Sequence, residues 1–275
     1  MKLKEFFREE YEPRRLRGGN GTTSRLYGFT IASFGRFLGR PATLADLNDK
    51  AVLRFLTARG GEVSSYTVEK ERSQLLALWR LAFHLGMVNR WPDVPPAKLP
   101  RRNPEAMTIA EVRRLVVAAD ELAPAWGTLV RVAYETGERI AAILALTPRD
   151  IRGRKILFRA ETRKFGVADN LATVTPETAA RLADLIETGN TKVFPMKDVH
   201  YWWHVMIGNA GIHPRAKRCG WHMLRRTAAS HLKAAGGDPQ KFLGHASPTT
   251  TSRWYLDKTI TDTGPQPCDV LPAVN

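Results

Sequence analysis

Cysteine is nearly absent from this 275-residue chain. Cys219 and Cys268 are the only two, too few for a disulfide framework and best read as reduced thiols. His222 lies three residues after Cys219, but without a second ligand pair that spacing does not make a zinc site. Long apolar runs are missing as well. The best stretch, Leu75–Phe83, is interrupted by Arg80, so nothing approaches the roughly 18 residues that suggest a membrane span. Met1-Lys2-Leu3-Lys4-Glu5-Phe6-Phe7-Arg8 lacks the apolar centre of a signal peptide. No GxGxxG or Walker-type loop occurs, which leaves nucleotide binding without support. A cytoplasmic protein without a membrane span is expected.

Acidic residues are outnumbered: 42 Lys+Arg face 27 Asp+Glu, for a net charge of +15. The excess is spread along the chain. Residues 1–100 hold 17 basic and 10 acidic residues, or +7, which leaves +8 for the remainder. A basic tail on a neutral domain is thereby excluded, and both halves must face something anionic or repel each other. With 43% hydrophobic and 9% aromatic residues, the chain folds rather than remaining a disordered polycation. Nucleic acid or an anionic membrane surface is left as the expected partner.

Pro92, Pro95, Pro96, Pro100 and Pro104 fall within 13 residues, with Lys98, Arg101 and Arg102 between them. Such a segment can neither continue a helix nor pair in a central strand. It therefore reads as an extended linker over 91–106, between a domain at 1–90 and another at 107–275. The first reads as all helical. Arg14, Arg15 and Arg17 lie in a loose Gly-rich stretch before a helix near Thr23–Leu38. Asn48 caps a helix that carries Val52, Phe55 and Leu56, and Ser65 caps a longer one ending at Gly86. Arg72 and Arg80 lie on the latter's other side and, with Lys98, Arg101 and Arg102, are candidates for DNA contact. Each taken singly could equally be a solvated surface cation.

The second domain opens with a capping box, Thr108-Ile-Ala-Glu111. Helices are expected over Ala125–Glu135, which halts at Gly137, and over Ile140–Leu146. Lys155–Phe158 and Leu171–Thr175 then read as strands of a small antiparallel sheet. Further helices are expected at Pro176–Thr188, Val199–Ala210, His222–Ala235, Pro239–Leu243 capped by Asp238, and Pro248–Leu256 capped by Ser247.

Four pieces carry reactive side chains: Arg139 after Thr136-Gly137-Glu138, Lys164 in a hairpin loop, His222-Met-Leu-Arg225 on one helix face, and Leu243-Gly244-His245 followed by Tyr255. Alone, each is more ordinarily a surface residue or helix-end anchor. In this order and spacing they resemble the catalytic domain of the tyrosine recombinases, the phage-integrase family. Thr136–Leu146 (TGERIAAILAL) is similar to that family's first box. His222–His231 (HMLRRTAASH) and Leu243–Tyr255 (LGHASPTTTSRWY) are similar to its second.

The resemblance implies a mainly α protein with a helical core-binding domain and a mixed α+β catalytic domain containing a small antiparallel β-sheet. It also implies a cytoplasmic, nucleoid-associated site-specific recombinase or integrase that acts on double-stranded DNA as a homotetramer across two sites, with no membrane partner, no cofactor and no metal. Tyr255 would attack the scissile phosphate to give a 3′-phosphotyrosine, and Arg139 and Arg225 would clamp its oxygens. Lys164 would protonate the departing 5′-oxygen, with His222 and His245 bonding the phosphate and accepting the tyrosine proton.

The chain departs from the pattern at several points. Ala142 stands where an acidic residue is common, and Glu138 is expected to point elsewhere. Tyr255 follows His245 by ten residues rather than nine, the usual place being held by Trp254. Arg226 replaces a common His. After Tyr255, Pro265, Pro267 and Pro272 argue against a C-terminal helix. Type IB topoisomerases share the chemistry but favour Lys at position 222. A non-catalytic DNA-binding relative is the other alternative. His84, His200, His204, His213 and His231 read as structural, and Trp202-Trp203 as core.

Overall fold

The computed structural model describes residues 1–16, 21–100, 103–163, 168–213 and 219–261. The chain divides into two compact units, Met1–Arg101 and Arg102–Asn275. Among the described residues no helix is long and apolar enough to cross a membrane. Lys164, Arg101, Arg102, Arg17, Cys268 and the tail prolines lie outside the described residues.

The first unit is helical. Its α1 (Leu3–Phe6) runs directly into a π-helical stretch, Phe7–Leu16, where a loose segment is expected from the sequence around Arg14 and Arg15. Leu3, Phe6, Phe7 and Tyr11 fall on one face and are buried. Arg14 is held by Glu10 at 2.7 Å, one turn earlier. Tyr11 bonds Tyr27 hydroxyl to hydroxyl at 2.7 Å, joining this segment to α2 (Gly21–Leu38). In α3 (Asp49–Gly60), Asn48 accepts from the Ala51 amide as an N-cap should. The cap of α4 (Ser65–His84) is Ser64, one residue earlier than expected, and accepts from the Thr67 amide.

Phe34, Phe55, Leu75, Leu78 and Trp79 are fully buried at the centre of this unit. Trp79 donates its indole N–H to the Arg90 carbonyl at 2.6 Å, so the chain folds back on α4 as it leaves. The described residues of the Pro-rich stretch form no helix or strand. Prolines offer carbonyls but no amide donors, and α4 supplies side-chain partners: Arg72 donates Nε to the Val94 carbonyl at 2.9 Å, and the Tyr66 hydroxyl reaches the Pro100 carbonyl at 2.6 Å.

The second unit begins with α5 (Ile109–Leu122), whose capping box between Thr108 and Glu111 is formed in both directions. Pro124 occupies the first turn of α6 (Pro124–Thr136), which ends at Gly137 in the left-handed region. The expected helix over 140–146 is only one turn, α7 (Ile140–Ile143). Strands β1 (Ile151–Arg152), β2 (Lys155–Phe158) and β3 (Asn170–Thr173) form an antiparallel sheet in that order. Lys155 pairs with Thr173, and Phe158 with Asn170. Then come α8 (Pro176–Glu187), α9 (Val199–Asn209), α10 (His222–Ala234), α11 (Pro239–Leu243), α12 (Pro248–Trp254) and the single turn α13 (Lys258–Thr261). Leu129, Val130, Phe158, Trp203, Met206 and Leu224 are fully buried in one cluster. Trp203 is core as expected, while Trp202 is partly exposed.

Candidate active site

Two helix ends fix the centre of the site. Gly137 has φ of 60° and Gly244 has φ of 64°, the left-handed conformation that glycine adopts without strain. At Gly137 a Cβ would also lie 2.5 Å from Cε1 of Phe242, so the position admits glycine alone. These turns aim two carbonyls at one guanidinium. Arg225, one turn into α10 and only 1% exposed, donates Nη1 to the Gly137 carbonyl and Nη2 to the Leu243 carbonyl at 2.8 Å. Its Nε has no hydrogen-bond partner among the described residues. Carbonyls at helix C-termini suit a cation.

Around Arg225 the structure gathers Arg139, His222, His245 and Tyr255. The Tyr255 hydroxyl lies 2.9 Å from His222 Nε2. The His245 ring is 4.4 Å from the Tyr255 ring, centre to centre, and its Nε2 is 3.4 Å from Arg225 Nη2. His245 Nδ1 is fixed by the Thr251 hydroxyl at 2.9 Å. That bond ties the loop to α12, whereas Ser247 occupies the cap position without a side-chain capping bond.

The ten-residue interval from His245 is absorbed at the end of α12. Trp254 closes the helix, 42% exposed, with Arg253 over its ring. Tyr255 follows as the C-cap and turns inward, 8% exposed. Its carbonyl accepts from Ser230 Oγ at 3.3 Å, and that hydroxyl in turn accepts from the Asp257 amide at 3.0 Å. Fully buried Asp257 takes hydrogen bonds from Asn103, the Ala106 amide and Thr259. Burial alone would raise its carboxyl; those bonds outweigh the burial and hold it below its ordinary value.

Arg139 is half-buried at the cap of α7 and makes no side-chain hydrogen bond or ion pair with the described residues. Its charge nonetheless acts on its neighbours. Desolvation, then the charges of Arg226, Arg225 and Arg139, bring His222 down to about 4. Desolvation followed by Arg225 and Arg139 brings His245 to about 4. Both imidazoles are therefore neutral at neutral pH, each with a nitrogen able to accept a proton. Burial, then Arg139, lowers the Arg225 pKa, and Glu138 opposes them.

Glu138 corrects an expectation. It points into the site, because the left-handed turn at Gly137 reverses the chain just ahead of it. It is 4% exposed. Its Oε1 lies 2.9 Å from Arg163 Nη2 and its Oε2 3.8 Å from Arg225 Nη1. A buried carboxylate is thus present despite Ala142, supplied from a different place in the chain. Glu138, Arg163, Thr251, Ser230 and Asp257 all escape sequence reasoning. The left-handed glycine before Glu138 is the one local signal that could have drawn attention to it.

Of the DNA-contact candidates, Lys98 and Arg80 are exposed, with Arg80 resting 5.6 Å from the Trp91 ring. Arg72 is turned to the protein, its guanidinium occupied by Val94 and by Glu69 at 2.8 Å. Among the described residues no three His, Cys, Asp or Glu side chains are grouped to hold a metal ion, Cys219 and His222 included.

Comparison with known proteins places this geometry. The phage integrase family model matches residues 105–261. Tyrosine recombinase XerD of Ralstonia nicotianae is 25% identical over 251 residues, which span 82% of this chain and 78% of that one. Tyrosine recombinase XerA of Thermococcus kodakarensis is 25% identical over 253 residues, spanning 86% and 85%. Among solved structures, a lambda integrase dimer bound to a COC′ core site shares the fold at a TM-score of 0.76 and 18% identity, covering 94% of this chain and 78% of that chain. A lambda integrase tetramer bound to a Holliday junction gives 0.77 at 18%, covering 97% and 79%. The family match extends from the start of α5 through the turn that follows Tyr255, across every element that shapes the site, and the chain belongs to the phage integrase family as a tyrosine-type site-specific DNA recombinase.

Proposed function

We propose that Tyr255 is the nucleophile of strand cleavage and that Arg139, His222, Arg225 and His245 handle the phosphate and the protons. The observation that carries this reading is the 2.9 Å contact between the Tyr255 hydroxyl and a neutral imidazole, His222, beside a fully enclosed guanidinium. The phenol oxygen attacks the scissile phosphorus and passes its proton to the imidazole side of the site. The P–O5′ bond breaks, leaving a 3′-phosphotyrosine and a 5′-hydroxyl. A covalent intermediate conserves the energy of the phosphodiester, so a second strand's 5′-hydroxyl reverses the step and completes the exchange.

Arg225 is preorganised by two main-chain carbonyls, and it stabilises negative charge on the phosphate with little reorganisation. Arg139, whose guanidinium is unengaged by the described residues, is available to fork onto the non-bridging oxygens. Lys164 is assigned to protonation of the 5′-oxygen on its sequence position alone.

The first unit is proposed as the core-binding domain, gripping duplex DNA together with the catalytic unit. Lys98 and Arg80 are its proposed phosphate contacts among the described residues. Assembly is proposed as a homotetramer on two sites, in the cytoplasm; the solved lambda integrase tetramer on a Holliday junction supports that stoichiometry. Footprinting on randomised duplexes identifies the bound core. A suicide duplex nicked within that core, from which the short 5′-hydroxyl fragment diffuses away, then traps the covalent adduct. The adduct is expected with the parent chain and absent with Tyr255→Phe. Robust relaxation of sequence-scrambled plasmid by monomer would replace this reading with a topoisomerase.

A further inference from the structure

One cation of the site stands apart from the phosphate-handling arginines. Arg226 follows Arg225 on α10, and adjacent positions of a helix point about 100° apart. Arg225 turns into the protein; Arg226 does not. Along His222–Ser230 seven side chains are buried, and only His222 and Arg226 keep surface open to solvent. Positions four apart lie one above the other on a helix face, so these two form a single open strip. Its first member meets the Tyr255 hydroxyl at 2.9 Å. The strip therefore starts at the proposed nucleophile and runs one turn along α10, about 6 Å.

Arg226 lacks a partner there. Its Nε is sealed from solvent with no hydrogen-bond partner among the described residues. It forms no ion pair with them either, in contrast to Arg225, which has Glu138 at 3.8 Å. A guanidinium with part of its donor set enclosed and no carboxylate beside it is costly unless an anion arrives from outside the chain. Its charge is felt at the other end of the strip, in keeping with the one-turn spacing: desolvation lowers the His222 pKa most, and Arg226 comes next, ahead of Arg225 and Arg139.

Chemistry identifies the incoming anion. With Tyr255 on the scissile phosphate, the same strand carries further phosphates at about 3.4 Å of rise on either side. A cation one turn along the open strip meets such a neighbour, and a planar fork suits its two non-bridging oxygens. Resting on the assignment of Tyr255, His222 and Arg225 made above, we propose that Arg226 seats the phosphate adjacent to the scissile one on the cleaved strand and so fixes the register of that strand across the site. Arg226 does not touch the reacting atoms. It is a positioning residue for the strand, and its contribution is to binding.

The test is a double-substitution cycle between side chain and phosphate in the full chain. Duplexes carrying the footprinted core are made with a single neutral methylphosphonate at the scissile phosphate, at either neighbour, or several positions away. The scissile position is read from the 3′ end of the strand held in the Tyr255 adduct. Affinities are measured in chains carrying Tyr255→Phe, which accumulate no adduct. Arg226→Met is expected to weaken binding of the unmodified duplex about tenfold and to lower the salt slope by about one. A methylphosphonate at one neighbouring position is expected to cost the chain with Arg226 a similar factor, and the Arg226→Met chain less than about threefold. At the distant position both chains lose alike. A purely structural role would lower melting temperature and leave the two losses additive at every position. That result would overturn the proposal, as would unchanged affinity or coupling to the scissile phosphate alone. If Arg226→Met shows no melting transition, Arg226→Gln is carried through the same cycle and judged in the same way. Absence of a Tyr255-dependent adduct from the parent chain would overturn the underlying assignment and the seat with it, whereas an active parent with additive losses at every phosphate overturns the seat alone.

Discussion

His222 and His245 are desolvated by burial and face cations besides, and their chemistry follows from both. Protonating either ring adds a positive charge beside Arg225 and Arg139 in a poorly solvated place, so both stay neutral down to about pH 4. In the unfolded chain each would take up its proton near 6.5. Between those values the unfolded state binds more protons than the folded one, so stability rises with pH through this window. It is complete above about 6.5 and falls as the pH drops towards 4. Imidazole NMR titration of the free protein is expected to show two late-titrating histidines with midpoints near 4. Midpoints near 6.5 would mean that the rings are neither desolvated nor close enough to the cations to be shifted. At Tyr255 the expectation is plainer: Tyr255→Phe keeps the fold and the ring contacts with His222 and His245, yet abolishes adduct on a suicide duplex.

Helix ends do much of the positioning. Gly137 terminates α6, presents a carbonyl to Arg225, and accommodates the Phe242 ring where a side chain would stand. Gly137→Ala combines a left-handed alanine with that clash. Gly153, at φ of 55° with nothing within 4 Å of a built Cβ, carries only the backbone part. Gly153→Ala is expected to cost about 1 kcal/mol, and Gly137→Ala clearly more, about 2–4 kcal/mol once Phe242 is displaced. Urea denaturation of the two variants gives the difference. Caps and periodicity made most elements legible in the sequence: Asn48, the Thr108–Glu111 box, Gly137 and Asp238 each act locally, within four residues. What stayed hidden was non-local or unpunctuated. The segment Phe7–Leu16 has no cap and contains Pro13, and only its burial against Tyr27 makes it helical. Motif order pointed to Arg139, His222, Arg225, His245 and Tyr255, which the fold brings together. The inward turn of Glu138 and its pairing with Arg163 depend on a fold-back between residues 25 apart, which no local signal encodes.

Across the molecule, the +15 charge acts mainly as phosphate affinity without sequence preference. Binding to a random duplex is expected to fall linearly in log–log terms as salt rises. Lys98→Ala and Arg80→Ala should each reduce that slope by about one, whereas Arg72→Ala should leave it nearly unchanged, since its guanidinium is already engaged by Val94 and Glu69. Filter binding over a salt series measures all three, and a full unit lost on Arg72→Ala would show that it leaves the protein for the DNA.

The tie at Asp257 has a further consequence in the time domain. Asn103 and Ala106, at the start of the second unit, share a buried carboxylate with Thr259, and Ser230 carries the link on to Tyr255. The amides of Ala106 and Asp257, and with them the Tyr255 backbone whose carbonyl Ser230 holds, are therefore expected to open as one cooperative unit even though about 150 residues of chain separate the first from the others. Hydrogen exchange should release them together, and Asp257→Asn should speed all three by a common factor. The lifetime of Tyr255, the proposed nucleophile, in its inward position would then be set at the opposite end of the domain's chain.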